Sequence, residues 1–244
     1  VAGFTGKAIE DGLAAQGIHT DFIHLPEGNS RINVKVKHGD ETEINGQGPV
    51  ITEEAINELF AKLDTLTKED ILVLAGSIPN TLPEDIYEKI LASLESKGIR
   101  IVVDATKDLL LNVLKYHPFL IKPNNHELGE MFGTVCKTDE DIIHYAKKLQ
   151  EMGAVNVLIS MAGDGAILIT EDGQNIKMGT PKGKVVNSVG AGDSMVAGFI
   201  TGYIRGGNYE EALKSGTAAG SATAFSEGLA SLEMYEKMLK QISE

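Results

Sequence analysis

The segment 187–198 contains residues that could bind an anion and remove a proton beside it. It follows a predicted short strand and opens a predicted helix, and Gly190, Ala191 and Gly192 are small enough to expose their backbone N–H groups. A helix N-terminus carries partial positive charge and unpaired donors, so these amides could form an anion hole. Asp193 would then be placed to accept a proton from a hydroxyl that attacks a phosphoryl group. The alternative is an ordinary glycine turn that leads into a helix.

Other glycine motifs fit this segment poorly. Met195 stands where a dinucleotide fingerprint needs its third glycine, and Asp193 would repel a pyrophosphate. A nucleophile elbow is also excluded, because the stretch 192–196 lacks the final glycine. The chain has no G-x-x-x-x-G-K-[S/T] motif, so it is not a P-loop enzyme.

A second group of polar residues lies just past a predicted strand, in the stretch Lys122-Pro123-Asn124-Asn125-His126-Glu127. Ligands of open α/β sheets bind at such carboxyl ends. Asn124 and Glu127 are three residues apart, so they would face the same way on a helix and offer oxygen ligands suited to Mg²⁺. The alternative is a helix cap with a solvated Glu127.

Two further strand ends are candidates for ligand contact. Ser160, Gly163 and Gly165 follow one predicted strand and could contact a nucleotide, although a simple glycine turn has equal support. Gly76 and Ser77 end another strand and could line a substrate pocket.

Arg31 belongs to an alternating run in which Arg31, Asn33 and Lys35 share one face and Ile32, Val34 and Val36 share the other. Alternate residues on a strand are about 6.6 Å apart, so the polar three could converge on one phosphorylated ligand. Arg31 would give a two-pronged grip on the phosphate. The alternative is a solvated hairpin face.

Composition limits the partners. The chain has 244 residues with 35 acidic and 22 basic groups, a net charge of −13, which is the wrong balance for a nucleic-acid partner. No apolar run is long enough for a membrane span. The single cysteine, Cys136, excludes a disulfide framework and fits a reducing compartment, so we expect a cytoplasmic protein. The histidines show no metal-ligand spacing.

The elements that must position these residues change in character along the chain. A helix is expected from Thr5, as its N-cap, to about Gln16. A short strand at 22–25 and a hairpin near 31–45, turning at 38–40, should follow. From residue 49 onward, short apolar strands alternate with amphipathic helices, which predicts a parallel sheet covered by helices on both faces. Strands at 166–170, 175–178 and 184–187 form a predicted meander, and three helices should end the chain.

The chain resembles the ribokinase-like (PfkB-type) carbohydrate kinases. The segment 187–200 is similar to the C-terminal signature of the family, and Lys122-Pro123-Asn124 with Glu127 is similar to its metal and phosphate motif. The stretches 42–49, 130–133 and 220–226 resemble members that act on fructose 1-phosphate. The resemblance implies one ribokinase-like α/β domain over 1–244, with lid strands within about 20–45 and a nucleotide-binding half at about 120–244.

The same resemblance implies roles for the candidate residues. Asp193 would be the catalytic base and the amides of 190–192 the anion hole. Asn124 and Glu127 would help to hold Mg²⁺, and Arg31 would hold the sugar phosphate from the lid. The remaining contacts would be with ATP, made by Lys122, Ser160, Gly163, Gly165, Gly220 and Ser226.

The implied reaction is ATP-dependent phosphorylation of fructose 1-phosphate to fructose 1,6-bisphosphate. Alternatives are family members that act on tagatose 6-phosphate or fructose 6-phosphate, and a non-catalytic nucleotide or sugar-phosphate sensor. Family members carry a further segment before the position of Val1, so we expect the N-terminal part of the family fold to be absent from this chain. The apolar lid face suggests a homodimer.

Overall fold

The computed structural model describes residues 1–38 and 40–243. The chain forms two compact units. The first unit comprises residues 1–69 and 77–98, and the second comprises residues 70–76 and 99–244. The turn predicted at 38–40 includes Gly39, which lies outside the described residues.

The first unit contains a two-stranded hairpin whose strands pair antiparallel, with Asn33 opposite Asn45 and Val34 opposite Ile44. Its alternating sequence predicted this pairing correctly. Four apolar side chains on and beside the hairpin are exposed; we call them the hairpin face, and they are Ile32, Val34, Val36 and Ile44. The elements of the unit are α1 (Gly3–Ala15), β1 (Asn33–His38), β2 (Asp40–Asn45), α2 (Glu53–Asp64) and α3 (Ile86–Leu94).

Two local predictions in this unit were wrong. Helix α1 begins at Gly3 with Ala2 as its N-cap, so Thr5 lies inside the helix. The Thr5 hydroxyl donates to the Ser30 carbonyl at 2.8 Å, which ties the first turn to a distant segment. The stretch 22–25 is not a strand, because only Leu25 forms an isolated bridge, with Ala2.

The second unit is built on one sheet, which within the described residues has six strands in the order β3-β4-β5-β6-β7-β8. Strands β3 to β6 run parallel, and β7 and β8 add antiparallel neighbours, which are the first two strands of the predicted meander. The strands are β3 (Ile71–Ala75), β4 (Arg100–Asp104), β5 (Leu120–Ile121), β6 (Asn156–Ser160), β7 (Ala166–Ile169) and β8 (Asn175–Met178).

The central strands are apolar on both faces, as a sheet covered by helices requires. On one face, Val102, Leu120 and Leu158 pack with Phe199 and Leu213 from two C-terminal helices. The alternate strand positions are also fully buried, and helices on the other face contact β6 and β7. The helices are α4 (Lys107–Val113), α5 (Asn125–Met131), α6 (Asp139–Glu151), α7 (Ala191–Gly206), α8 (Tyr209–Ala224) and α9 (Leu232–Ser243).

The strand predicted at 184–187 is absent from the described structure. The backbone N–H groups of Val186 and Asn187 both donate to the Ala224 carbonyl, at 2.8 and 3.1 Å. The segment therefore attaches to the C-terminal end of α8. None of the helices among the described residues is both long and apolar enough to cross a bilayer.

Candidate active site

The carboxyl ends of three neighbouring strands bring polar residues to one edge of the sheet. Asp104 is the last residue of β4, Lys122 follows β5, and Ser160 is the last residue of β6. A bridge between Asn124 and Ser160 extends the β5–β6 pairing, and the Ser160 N–H donates to the Pro123 carbonyl at 3.2 Å. This is the edge at which open α/β sheets bind ligands.

Helix α7 begins with the glycine turn that the sequence predicted. Gly190 is its N-cap at φ +78°, a left-handed conformation that glycine adopts without strain. The Ala191 N–H donates to the Ser188 carbonyl at 3.2 Å, whereas the Gly192 N–H has no acceptor among the described residues. Asp193 lies exposed in the first turn of the helix.

Lys122 reaches the same turn from the sheet edge. A methyl group placed on Gly192 would lie 3.1 Å from Lys122 Nζ, so the ammonium group packs against the start of α7. On its other side, Lys122 Nζ lies 3.3 Å from Asp104 Oδ1. The structure thus brings Lys122 and the glycine turn together.

Asp104 sits in an unusual electrostatic position. Burial raises the pKa of its carboxyl group, and the neighbouring Lys122 ammonium opposes this rise. The negative charges of Asp193 and Glu127 raise the pKa further. The carboxylates of Asp104, Glu127 and Asp193 therefore lie close enough to one another to interact electrostatically, with the Lys122 ammonium among them.

Asn124 and Glu127 form a reciprocal cap at the start of α5. Asn124 Oδ1 accepts from the N–H groups of His126 and Glu127, and Glu127 Oε2 accepts from the Asn124 N–H at 2.8 Å. The helix-cap interpretation of this motif is therefore confirmed as geometry. Glu127 Oε1 accepts no hydrogen bond from the described residues, so one carboxylate oxygen can still face a metal ion or its water.

The residues at this edge of the sheet could bind Mg²⁺ through only a few protein oxygens. Among the described residues, no three His, Cys, Asp or Glu side chains converge to form a metal cage. Mg²⁺ usually keeps several waters and takes one or two carboxylates together with substrate phosphates. The unoccupied oxygen of Glu127 suits that role, with further ligands supplied by water and phosphate, whereas Asn124 Oδ1 already accepts two N–H groups and would have to release one to bind the ion.

The loop after β6 carries the other nucleotide candidates. The Gly163 carbonyl accepts from the Thr180 hydroxyl at 2.8 Å. Gly165 has φ +94°, and a methyl group there would lie 2.0 Å from the Met178 carbonyl oxygen. Glycine is therefore required at 165 by its backbone conformation and by the close approach of the end of β8. Contact of this residue with a nucleotide stays a prediction.

Gly220 and Ser226 lie on and just beyond α8. Gly220 is buried, and a methyl group there would lie 3.0 Å from the Ala191 carbonyl oxygen, so this glycine lets α8 approach the first turn of α7. The Ser226 hydroxyl donates back to the Ala222 carbonyl at 2.8 Å. Gly220 thus adjoins the glycine turn, and contact of either residue with a nucleotide stays a prediction.

The substrate candidates fall in both units. In the first unit, Arg31 Nη2 donates to Ser77 Oγ at 3.2 Å, so two predicted substrate residues meet. Asn33 and Lys35 are exposed on β1. Gly76 belongs to the second unit, where its N–H donates to the Asp104 carbonyl at 3.2 Å.

Asp104 is the residue that the sequence reasoning missed. It lies at the carboxyl end of an apolar strand, as Lys122 and Ser160 do, so the rule that selected those strand ends would also have selected Asp104.

Together, the mostly parallel sheet, the polar carboxyl edge and the glycine-capped helix define an α/β protein with a candidate anion-binding site at the ends of its strands. Residues 2–234 match the pfkB family of carbohydrate kinases, and the chain belongs to that family. It is accordingly a sugar-phosphate kinase, a phosphotransferase that acts on a sugar hydroxyl.

Three relatives illustrate the similarity. The chain is 48% identical to the 1-phosphofructokinase of Bacillus subtilis, over 99% of this chain and 79% of the relative. It is 38% identical to the D-tagatose-1-phosphate kinase of Bacillus licheniformis, over 98% and 79% of the two chains. The crystal structure of Escherichia coli phosphofructokinase-2 in complex with potassium matches with a TM-score of 0.90 at 25% identity, over 100% of this chain and 81% of that one.

Proposed function

We propose that this kinase transfers the γ-phosphoryl group of ATP to the 6-hydroxyl of fructose 1-phosphate, giving fructose 1,6-bisphosphate and ADP. The observation that carries the choice of sugar is the 48% identity with the Bacillus subtilis 1-phosphofructokinase across nearly the whole chain. The sensor alternative is dropped, because the chain is an enzyme of a kinase family.

Asp193 is proposed as the general base. Its carboxylate is exposed in the first turn of α7, where a substrate hydroxyl can reach it. It accepts the proton of the 6-hydroxyl as that oxygen bonds to the γ-phosphorus, while the bond from phosphorus to the bridging oxygen of ADP breaks.

We propose that the N-terminus of α7 and the Lys122 ammonium group stabilise the negative charge of the transferring phosphoryl group. Gly190 and Gly192 present backbone N–H groups, and Lys122 Nζ packs against the same turn. Ala191 can join them only when its N–H leaves the Ser188 carbonyl. Such fixed donors stabilise charge as it develops in the transition state.

The donor nucleotide is proposed to lie along the loop and helix that border this turn. Its contacts are proposed to be Lys122, Ser160, Gly163, Gly165, Gly190, Gly192, Gly220 and Ser226. Mg²⁺ would be held by Asn124 and Glu127 and would supply charge neutralisation for the phosphates of ATP. The carboxylate of Glu127 retains one oxygen for this purpose while the other caps α5.

The sugar phosphate is proposed to be gripped by Arg31 and Ser77, with Asn33, Lys35 and Gly76 as further contacts. The hydrogen bond between Arg31 and Ser77 supports this, because one anion could bridge both side chains. We propose that the chain works as one ribokinase-like domain over 1–244, with the lid within about 20–45 and a nucleotide-binding half at about 120–244.

A second candidate substrate is tagatose 1-phosphate, because a relative at 38% identity is named D-tagatose-1-phosphate kinase. Tagatose and fructose differ only in configuration at carbon 4, so the phosphate and the accepting hydroxyl are the same in both. A kinase that uses fructose 6-phosphate or tagatose 6-phosphate would have to phosphorylate the opposite end of the sugar.

A coupled ADP-release assay of the full-length protein with these four sugar phosphates tests the proposal. We expect kcat/KM to be highest for fructose 1-phosphate and lower for tagatose 1-phosphate, with little turnover of either 6-phosphate. A preference for a 6-phosphate would contradict the proposed orientation of the sugar.

The hairpin face is proposed to pair with a second copy of the chain. Its four apolar side chains are exposed and contiguous across the two strands, which is unusual for a surface that stays in water. For comparison, one solved structure is described as the tetrameric inhibited form of Escherichia coli phosphofructokinase-2.

A further inference from the structure

The ion pair between Asp104 and Lys122 has a feature that the proposed reaction does not explain. Asp104 ends β4 and Lys122 follows β5, and these parallel neighbours place Lys122 Nζ 3.3 Å from Asp104 Oδ1. Lys122 is only 7% exposed, although lysine is rarely buried without a partner. Within the described part of the chain, Asp104 is the only carboxylate within 4 Å of this ammonium group.

The position of the ammonium group is electrostatically unfavourable without that partner. Lys122 Nζ lies against the first turn of α7, where a methyl group on Gly192 would come within 3.1 Å of it. The start of a helix carries partial positive charge, so it repels a cation at this distance. A side chain with several rotatable bonds would then move away unless something held it.

We propose that Asp104 is a positioning residue that holds the Lys122 ammonium group at the N-terminus of α7, where its charge meets the transferring phosphoryl group. The inference rests on the proposed kinase reaction. Lys122 and the glycine turn supply the contacts to phosphate, and Asp104 acts only through Lys122. The Lys122 ammonium group and the backbone N–H groups of α7 are already together at this turn before substrate binds. They therefore need little reorganisation during the reaction.

The test is a double-mutant cycle on the full-length kinase with Asp104→Asn, Lys122→Met and the double variant. We expect Lys122→Met to lower kcat about a hundredfold, as for removal of one charge-stabilising donor, and Asp104→Asn to lower it about tenfold. In the Lys122→Met background, Asp104→Asn should change kcat less than about twofold, because its target is gone. KM for the sugar phosphate should change little in every variant.

The matched control is Asp108→Asn, the same substitution at an exposed position near the start of α4, which should leave kcat unchanged. Losses that multiply in the double variant would overturn the inference. So would a kcat for Asp104→Asn that high Mg²⁺ restores whether or not Lys122 is present, because Asp104 would then act on the metal.

Folding can be separated from positioning. Asp104→Asn leaves a buried ammonium without its partner, whereas the double variant leaves no unpaired charge and should fold. If thermal melts show that Asp104→Asn is unfolded, Asp104→Glu replaces it in the cycle. Asp104→Glu keeps the negative charge but moves it, so we expect the same loss of kcat in the wild-type background. In the Lys122→Met background, this substitution should have little effect on kcat.

Wild-type protein inactive on every sugar phosphate would refute the proposed function, whereas active wild type with an unaffected Asp104→Asn variant would refute only this inference.

Discussion

Arg31 Nη2 donates a hydrogen bond to Ser77 Oγ at 3.2 Å, which joins the residue just before the hairpin to a loop far along the chain. Both side chains are exposed, so an anion can approach the pair. The planar guanidinium can bind two phosphate oxygens while the hydroxyl donates to a third. This arrangement supports a site for the phosphate of the sugar.

We expect Arg31→Ala to raise KM for fructose 1-phosphate by roughly 10- to 100-fold, since a hydrogen bond to a charged group contributes about 1.5–3 kcal/mol. Steady-state kinetics at saturating ATP would measure this. Arg31→Lys keeps the positive charge but loses the planar two-pronged guanidinium, so its KM should lie between those of wild type and Arg31→Ala. Ser77→Ala should raise KM only a few-fold. An unchanged KM with a reduced kcat would count against a role in phosphate binding.

The sequence was a good guide where the signal is local. Short apolar runs predicted the parallel strands β3 to β6, and the glycines before Asp193 predicted where α7 begins. These features depend on backbone conformation and on burial of neighbouring residues. The strand ends that carry Lys122 and Ser160 were found for the same reason.

Prediction from the sequence failed for contacts between residues that are far apart along the chain. Asp104 and Lys122 meet only because β4 and β5 are adjacent in the sheet, which no local pattern states. Thr5 has the type of an N-cap residue, yet its hydroxyl binds the Ser30 carbonyl. Val186 belongs to a stretch with the character of a strand, but the carbonyl that its N–H meets is at the end of α8.

We expect Asp193→Asn to lower kcat by about 10²- to 10⁴-fold, the usual loss when a general base is removed. The amide keeps the shape of the side chain, so nucleotide affinity should change little. Stopped assays of the variant with ATP and fructose 1-phosphate would give kcat, and titration with ATP would give the affinity. Near-normal turnover would show that another group removes the proton.

We expect Gly165→Ala to destabilise the protein more than Gly173→Ala. Both glycines have positive φ, +94° and +81°, so both substitutions strain the backbone. Only the methyl group at 165 also meets a carbonyl oxygen, that of Met178, at 2.0 Å, whereas the one at 173 meets open space. Thermal melts should show Tm lower by roughly 5–10 °C at 165 and about 2–4 °C at 173. Equal shifts would mean that the β7–β8 hairpin relaxes without cost.

We expect Asp141→Asn to reduce stability at neutral pH but not in strong acid. The N–H groups of Lys137 and Thr138 donate to Asp141 and lower the pKa of its carboxyl group. Since this pKa is lower in the folded chain than the ordinary value of about 3.9, the stabilisation is present above that value. It is lost as pH falls through the lowered pKa. Melts from pH 7 to pH 2 should therefore converge for the two proteins. Glu140→Gln, in the same first turn, is the matched control and should show a smaller difference.

We expect Val34→Lys to weaken self-association of the full-length protein. Val34 lies directly opposite Ile44 at the centre of the hairpin face, and both are exposed. A charge there would have to be desolvated in an apolar interface, which is costly. Sedimentation velocity should show wild type as a dimer and Val34→Lys as a monomer at the same concentration. Asn45→Lys adds the same charge to the other face of the hairpin and should leave the dimer intact. If both variants sediment like wild type, the hairpin face is not the contact between copies.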